Sequence, residues 1–177
     1  MDGAASNGDL LILRGQPQLG LRRLEEAESA FHKALVVKPD SLQVQRGLTR
    51  VALSKRGFET ADRQLSSSAS NSWDIQTWLL KSEFELSRGD FNAAYDAFAD
   101  PERLLPRSLA VRIGLVRALL GLGRAEDAYA HLANLHKNSP SHPLVNYFRG
   151  LSARQKNDLQ GAQEALHEVI KIQPNHL

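Results

Sequence analysis

The apolar residues of this chain recur on one face of successive helices. In the segment from Leu24 to Leu35, apolar residues stand three, seven, ten and eleven positions after the first. This spacing follows the 3.6-residue turn of a helix and not the alternation of a strand. The stretch from Leu115 to Leu122 is a second apolar helix, and Gly123 follows it, where glycine closes the last turn without side-chain strain. The pattern predicts an all-α chain.

The same helical pattern is copied at a fixed period. Five alanines recur at intervals of 34, 33, 34 and 34 residues. About five residues before each alanine is a turn element, four residues after it is a bulky apolar residue, and twelve after it is a proline in four of the five copies. A period in this range indicates one supersecondary unit repeated end to end. The alanines are Ala27, Ala61, Ala94, Ala128 and Ala162; the bulky residues are Phe31, Leu65, Phe98, Leu132 and Leu166; the prolines are Pro39, Pro106, Pro140 and Pro174, with Trp73 in the second copy.

Each copy is predicted to be two helices, A and B, joined by a short turn and ended by the proline, which cannot continue a helix. The predicted helices span 8–20, 24–37, 41–55, 58–68, 73–88, 91–98, 107–121, 125–138, 142–156 and 159–172. Pro17 is expected to kink the first helix or delay its start. Pro101 is expected to end its helix near Phe98 and leave an irregular connection over 100–106. The serine-rich segment 66–72 is expected to fray the end of the second copy.

This helix–turn–helix period resembles the tetratricopeptide repeat, whose signature runs Trp, Leu, Gly, Tyr, Ala, Phe or Tyr, Ala, Pro. The matching positions here are Gly15, Ala27, Phe31, Ala34, Pro39, Ala61, Trp78, Ala94, Phe98, Pro106, Leu115, Ala128, Pro140, Gly150, Ala162 and Pro174. The resemblance implies a right-handed α-solenoid, or superhelix, of five repeats and about ten helices. The repeats are expected at about 8–41, 42–74, 75–108, 109–142 and 143–177. Residues 1–7 are expected to be disordered or vector-derived, and the whole to be a fragment of a longer array.

A narrower resemblance rests on three segments: 142–150, 157–159 and 172–177. Their sequences look like those of the long tetratricopeptide lipoproteins of the bacterial PEP-CTERM/exosortase system. That subfamily is linked to envelope protein sorting and exopolysaccharide export. The resemblance implies a periplasmic or cell-envelope location; without it, a cytoplasmic one is expected. The first eight residues carry neither a signal peptide nor a lipoprotein cysteine, so this likeness requires a mature fragment.

Composition excludes several function classes. The chain of 177 residues has no cysteine, which rules out disulfides, a thiolate nucleophile and cysteine-bound zinc. No apolar run is long enough to span a bilayer. The net charge is only +2, from 22 basic and 20 acidic residues, and the basic pairs stand at helix–turn junctions and form no stripe. Nucleic acid is therefore not an expected partner.

The sequence contains no recognisable catalytic, metal or cofactor motif. His131 and His136 are five residues apart, which does not place them on one helical face, and no HExxH pattern occurs. The histidines are expected to face solvent or to be paired within the fold. The glycines of 121–123 end a helix and cradle no phosphate, since no strand precedes them. No enzyme activity and no cofactor are predicted.

In the family that this chain resembles, the A helices line the concave face, where a peptide or partner segment binds. The candidate groove residues on these helices are Gln43, Arg46, Arg50, Gln76, Glu83, Arg117, Tyr147 and Arg154. The same stripes also include Leu79, Leu86, Ala110, Ile113, Leu144 and Leu151. Arginines can bind carboxylates through two hydrogen bonds. The alternatives are that Arg46 and Arg50 form only a solvated face and that Tyr147 is core.

The predicted function is a non-catalytic protein-interaction scaffold. The family's carboxylate clamp uses lysine and asparagine on successive A helices, whereas this chain has Leu79 and Glu83 in the third copy, so capture of a chaperone tail is not expected. Three hypotheses stay open: a scaffold in envelope sorting or export, a cytoplasmic adaptor or co-chaperone-type module, and the recognition arm of a larger enzyme such as a glycosyltransferase. The apolar last helix, with Leu166, Val169 and Ile170, also predicts self-association through an uncapped end.

Overall fold

The computed structural model describes residues 7–68 and 74–172. These residues form ten α-helices and no strand. The helices are α1 (Asn7–Gly20), α2 (Leu24–Val37), α3 (Leu42–Ser54), α4 (Phe58–Ser68), α5 (Ile75–Arg88), α6 (Phe91–Leu104), α7 (Leu109–Gly121), α8 (Ala125–Asn138), α9 (Pro143–Gln155) and α10 (Leu159–Ile172). All predicted helix ends lie within two residues of these bounds except the end of α6.

The helices form two compact units. Unit 1 ends at Phe84 and unit 2 begins at Glu85, so the boundary falls inside α5. In unit 1, α2 packs on α1 and α3, α4 packs on α3, and α1 also contacts α3. In unit 2, successive helices from α6 to α10 pack on one another, and α7 also contacts α9. The A helices of neighbouring repeats therefore lie side by side within each unit, in agreement with the predicted helix pairs.

The repeated alanines mark the tightest contacts of the fold. Ala27, Ala61, Ala94 and Ala128 are completely buried, and Ala162 is nearly so. Ala128 belongs to a core cluster of unit 2 that also holds the side chains of helices α7, α8 and α9. A methyl group at this position lets helix B approach its neighbours closely, which explains the fixed period of the sequence.

Each turn between helices A and B contains one residue in the left-handed backbone conformation. The φ angles are 59° at Arg22, 57° at Arg56, 83° at Gly89, 74° at Gly123 and 63° at Asn157. These residues stand five positions before each repeat alanine. Glycine adopts this conformation freely and asparagine tolerates it, whereas the Cβ of an arginine is strained there. Two of the five turns therefore store backbone strain.

Replacing Arg56 by glycine is expected to raise the free energy of unfolding by about 0.5 kcal/mol. Relief of the left-handed strain contributes roughly 1–2 kcal/mol, and the larger entropy of the unfolded glycine chain offsets part of it. Urea denaturation followed by circular dichroism measures the change. Arg63→Gly, inside α4, is the opposing control and should destabilise by about 1 kcal/mol. If Arg56→Gly lowered the free energy of unfolding as much as Arg63→Gly does, the left-handed conformation of Arg56 would not be strained.

Two prolines lie inside helices. The prediction that α6 ends near Phe98 is wrong, because the helix continues through Pro101 to Leu104. An interior proline lacks one amide donor and its ring crowds the carbonyl one turn earlier, but the residues after it can still form helical hydrogen bonds. The ring of Pro101 is buried, and its carbonyl accepts a hydrogen bond from the amide of Leu105 at 2.8 Å. Helix α1 likewise runs through Pro17 from its start at Asn7, so the late start is wrong.

Some predictions fall on residues outside the described ranges. These are the segment 1–6, the segment 69–73 with Trp73, and the segment 173–177 with Pro174. The predicted fraying at 66–72 can be followed only to Ser68, where α4 ends. The other prolines of the signature, at 39, 106 and 140, lie in turns that follow helix B, as predicted.

After the first four alanines, the bulky residue is matched in size by a residue on the next A helix. We call these two residues a step pair. The ring of Phe31 fills the space over Gly47, where an added Cβ would lie 2.6 Å from it, and Phe98 fills the space over Gly114 in the same way. Where the bulky residue is a leucine, the facing residue is larger than glycine. Leu65 shares a core cluster with Leu80, and Leu132 shares one with Phe148. The step pairs are Phe31–Gly47, Leu65–Leu80, Phe98–Gly114 and Leu132–Phe148.

Ion pairs join the end of an A helix to the preceding B helix. Lys55 Nζ lies 2.8 Å from a carboxylate oxygen of Glu25 and 2.6 Å from one of Glu28. In unit 2, Lys156 Nζ lies 2.9 Å from Glu126 and 4.3 Å from the ring centre of Tyr129. We call this arrangement the latch. The hydrogen bonds to the glutamates raise the pKa of both lysines.

Candidate functional site

A cleft in unit 1 is lined by candidate residues of the two A helices α3 and α5, together with residues of α1. Its volume is about 220 Å³, and α1, α3 and α5 supply most of its wall. It is lined by Gln16, Leu19, Phe31, Gln43, Arg46, Gly47, Arg50 and Gln76. We call it the inner cleft. Four of the eight predicted groove residues, Gln43, Arg46, Arg50 and Gln76, therefore lie together in it. That they bind a partner stays a prediction.

The sequence of α3 turns its polar stripe toward the inner cleft. Ser41 caps the helix by accepting a hydrogen bond from the amide of Val44. Val44, Leu48 and Val51 are buried on the core side of α3. Since these three residues occupy one face of the helix, Arg46 and Arg50, which stand one turn apart, remain on another.

Arg46 already has a carboxylate partner within the fold. Its guanidinium donates a hydrogen bond to Asp74, which also accepts hydrogen bonds from the amide of Thr77 at 2.8 Å and from its hydroxyl at 3.0 Å. Burial alone raises the pKa of Asp74, but the bonds from Arg46 and Thr77 outweigh it and hold the pKa below its ordinary value. Arg46 is thus neither a simple solvated side chain nor a cation without a partner.

Arg50 is the cation of the inner cleft that remains available. Its side chain is exposed. Within residues 7–68 and 74–172, its guanidinium has no hydrogen bond or ion pair. The hydroxyl of Ser54 donates to the backbone carbonyl of Arg50, at 2.9 Å, and not to its side chain. The cleft therefore presents one uncompensated positive charge, next to the pair of Arg46 and Asp74.

The remaining candidates are exposed but line other surfaces. Glu83 is exposed on α5, Arg117 on α7, and Arg154 on α9. Tyr147 is 43% exposed and packs edge-on against Phe148 at 5.3 Å, so the alternative that it is core is wrong. Two further residues that were predicted to face the groove, Leu86 and Ile113, are buried, so the prediction is wrong at these positions.

Unit 2 has a larger and more polar cleft between α8, α9 and α10. Its volume is about 1080 Å³, and His136 and Arg149 lie in its wall. Arg149 Nη1 lies 3.2 Å from a ring nitrogen of His136 and donates a hydrogen bond to the carboxamide oxygen of Asn146 at 3.2 Å. Burial lowers the pKa of His136, and the positive charge of Arg149 lowers it further. His136 therefore favours its neutral form beside Arg149.

The comparisons with known proteins identify the repeats. A family model described as tetratricopeptide repeat matches residues 85–150. Residues 85–150 therefore match the tetratricopeptide repeat family. Solved structures share its fold. One is TTC0263, described as a thermophilic tetratricopeptide protein of Thermus thermophilus; at 16% identity, the match covers 96% of this chain and 93% of TTC0263, with a TM-score of 0.82. A second is PilF from Pseudomonas aeruginosa; at 18% identity, the match covers 93% of this chain and 76% of PilF, with a TM-score of 0.78.

A third solved structure is YrrB, described as a tetratricopeptide protein with an unusual peptide-binding site. At 18% identity it covers 94% of this chain and 86% of its own, with a TM-score of 0.67. No curated protein matches the sequence. The all-α tetratricopeptide solenoid fold predicted from the sequence is confirmed, whereas the PEP-CTERM likeness stays a prediction.

The tetratricopeptide register locates two cleft residues that the sequence analysis missed. Gln16 stands 34 residues before Arg50, and Leu19 stands 34 before Leu53, so both occupy positions of an A helix facing the same side. Moving the stripe of the second repeat back by one period would have found Gln16, whereas Leu19 corresponds to Leu53, which is not among the candidates.

The described part of the chain lacks two further classes of site, a metal cluster and a membrane-spanning helix. No group of three or more histidine and acidic side chains there could hold a metal ion. None of the tetratricopeptide helices in those ranges combines the length and apolar character of a bilayer-spanning segment.

Proposed function

We propose that this chain is a non-catalytic scaffold that holds an extended segment of another protein in the inner cleft. The observation that supports this most is the position of Arg50. Its guanidinium is exposed and unpaired within the described residues, and it lies in a cleft lined by the carboxamides of Gln16, Gln43 and Gln76.

The cleft offers each kind of contact that an extended peptide needs. Arg50 can donate two parallel hydrogen bonds to one aspartate or glutamate carboxylate of the partner. A glutamine carboxamide both donates and accepts, so the three glutamines can bond to peptide N–H and C=O groups. Leu19 and the ring of Phe31 supply an apolar wall for a neighbouring side chain.

The charge of the cleft selects a partner with few acidic residues. Because Asp74 neutralises Arg46, only Arg50 contributes an uncompensated charge among the eight lining residues. A polyanion such as nucleic acid would require a row of such cations with stacking aromatics. A segment with one acidic side chain between apolar and neutral polar residues fits the cleft better.

The scaffold is ordered before the partner binds. A core cluster of unit 1 buries Phe31, Val44 and Val51 among other protein side chains. Binding therefore orders mainly the partner segment and the cleft side chains, which keeps the entropic cost on the protein side small. The peptide-binding site described for YrrB supports the same use of the fold.

The pathway in which this scaffold acts stays a prediction from sequence resemblance. Envelope sorting, a cytoplasmic adaptor role and the recognition arm of an enzyme differ in the partner that each requires. An envelope protein, a cytoplasmic client or an enzyme substrate recovered by crosslinking would identify one of the three.

Arg50→Glu is expected to weaken binding of peptides selected on the wild-type chain by at least about tenfold. The substitution removes a charge-assisted hydrogen bond, worth roughly 1.5–3 kcal/mol, and puts a like charge against the peptide carboxylate. A phage-displayed library of random linear peptides supplies the ligands. Fluorescence anisotropy then measures their dissociation constants with the wild-type chain and the variants.

The matched control is Arg63→Glu, which makes the same charge change on the exposed surface of α4 and should leave the peptide affinity unchanged. Gln43→Ala with Gln76→Ala should weaken binding of every selected peptide, whatever its sequence, because main-chain contacts are lost. Selected peptides without an acidic residue, or with equal affinity for Arg50→Glu and wild type, would show that the proposed cleft is not the binding site.

A further inference from the structure

Helix α1 exposes apolar residues at repeat positions that are buried in other A helices. Leu10 is 55% and Leu13 59% exposed. The residues at the position of Leu10 in α3, α7 and α9 are Val44, Val111 and Val145, and all are completely buried. We call Leu10, Leu13, Pro17 and Leu21 the front face. In the other A helices, the equivalent face packs on the preceding B helix.

Helix α10 shows the complementary exposure. Leu166 and Val169 are only partly buried, and Ile170 is 44% exposed. At the positions of Leu166 and Val169, α8 has Leu132 and Leu135, which the following helix α9 helps to bury in one core cluster. We call Leu166, Val169 and Ile170 the back face. Among the described residues, no helix packs on it as α9 packs on α8.

The two faces match in size by the step-pair rule. The repeat register pairs Leu166 of the back face with Leu13 of the front face, as it pairs Leu65 with Leu80. A phenylalanine in the step pair is matched by glycine, and a leucine by a larger side chain. Leu13 would clash with a B helix that carried phenylalanine at this position. Helix α10 carries the leucine that Leu13 requires.

The two faces also match in charge. Leu21 of the front face stands at the position of Lys55 and Lys156, the cations of the latch. Gln160 and Gln163 of α10 stand at the positions that Glu25 and Glu28 occupy in α2. Both halves of the latch have therefore lost their charge. A contact between α1 and α10 would therefore bury no unpaired ion. If α10 had glutamates at these positions, as α2 has, their charge would be buried against Leu21 without a cation.

A neutral latch already occurs inside unit 2. The register places Leu122, at the end of α7, opposite Asn92 and Tyr95 of α6, so that step also lacks both the cation and the acid. Helices α6 and α7 nonetheless pack on each other. A leucine facing uncharged residues at the latch positions, as proposed for the front and back faces, is therefore compatible with packing of an A helix on a B helix.

We propose that copies of this chain associate head to tail, with the front face of α1 in one copy packed on the back face of α10 in the next. The contact reproduces a step between repeats, and the partner is a second copy of the same chain. Because the two faces differ, the contact is heterologous, and association can continue beyond a dimer. The interaction is separate from the inner cleft.

Two charge variants on the full chain test this proposal: Leu13→Glu blocks the front face, and Ile170→Glu blocks the back face. The average mass of the wild type, measured by sedimentation equilibrium, is expected to rise with concentration past that of a dimer. Each variant alone is expected to stay a monomer, with its association weakened at least about tenfold. Mixed together, the two variants retain one intact face each and are expected to form a one-to-one dimer.

Val36→Glu is the matched control, since Val36 is 86% exposed on α2 and lies on neither face. It should associate as the wild type does, and all variants should keep the wild-type melting profile by circular dichroism. A wild type that stays monomeric at every concentration overturns the proposal. Dimers of Leu13→Glu alone would also overturn it, because they would show back faces that pair with each other. Arg50→Glu should leave association unchanged, so this test is independent of the peptide cleft.

Discussion

Replacing Ala128 by leucine is expected to lower the free energy of unfolding by about 3 kcal/mol. Ala128 is completely buried in a core cluster with Val116, Leu119 and Leu132. Three additional carbon atoms must displace these neighbours or push α8 away from α7, and overpacking of this kind typically costs about 1–3 kcal/mol. The upper end applies because the site has no accessible surface into which the side chain could turn. Urea denaturation monitored by circular dichroism gives the value.

Ala133→Leu makes the same substitution in the same helix and provides the control. Ala133 is exposed on α8, so its replacement should change the free energy of unfolding by less than about 0.5 kcal/mol. Equal effects at the two positions would show that the repeated alanine is not a packing constraint, and the explanation given for the period would fail.

Gly114→Ala is expected to destabilise the chain by about 2 kcal/mol, although alanine is the better helix former. A Cβ at this position would overlap the ring of Phe98, so the ring or the helix must move. The overpacking cost, about 3 kcal/mol, exceeds the gain of about 1 kcal/mol in helix propensity. Gly20→Ala, at the end of α1 with no heavy atom within 4 Å of an added Cβ, should not destabilise.

The Phe98→Leu substitution should rescue Gly114→Ala. Leucine occupies the equivalent position in three of the five repeats, and it leaves room for a Cβ on the next A helix. In the Phe98→Leu background, adding Gly114→Ala should be neutral or stabilising. A double-mutant cycle should therefore give a coupling energy of about 2 kcal/mol, and additive effects would argue against the step pair.

The repeat pattern was sufficient to predict the helices, because each repeat carries the same local signals. The alanine period, the left-handed turn residues and the prolines after helix B agree in successive copies, and the helix bounds follow from them. The local rule failed at Pro101. A single proline suggests the end of a helix, but whether the helix continues depends on the burial of the ring, which neighbouring helices determine.

The candidate site was less predictable, since its electrostatics depend on contacts that the repeat pattern does not encode. Arg46 and Arg50 are equivalent in sequence terms, one turn apart on the same stripe. Asp74, 28 residues after Arg46 and just before α5, neutralises only the first of them. Spacing within α3 gives no indication of this pairing.

The step pairs make the order of the modules specific. A hairpin ending in a phenylalanine can be followed only by a helix with glycine in the facing slot, and one ending in leucine needs a larger residue there. Exchanging the second and third hairpins would put Phe31 against Leu80, and it would leave a void between Leu65 and Gly114. The size of the bulky residue in each repeat therefore determines which repeat can follow it. Recombination that changes the order of the repeats would create clashes or voids, even though the repeats share one backbone fold.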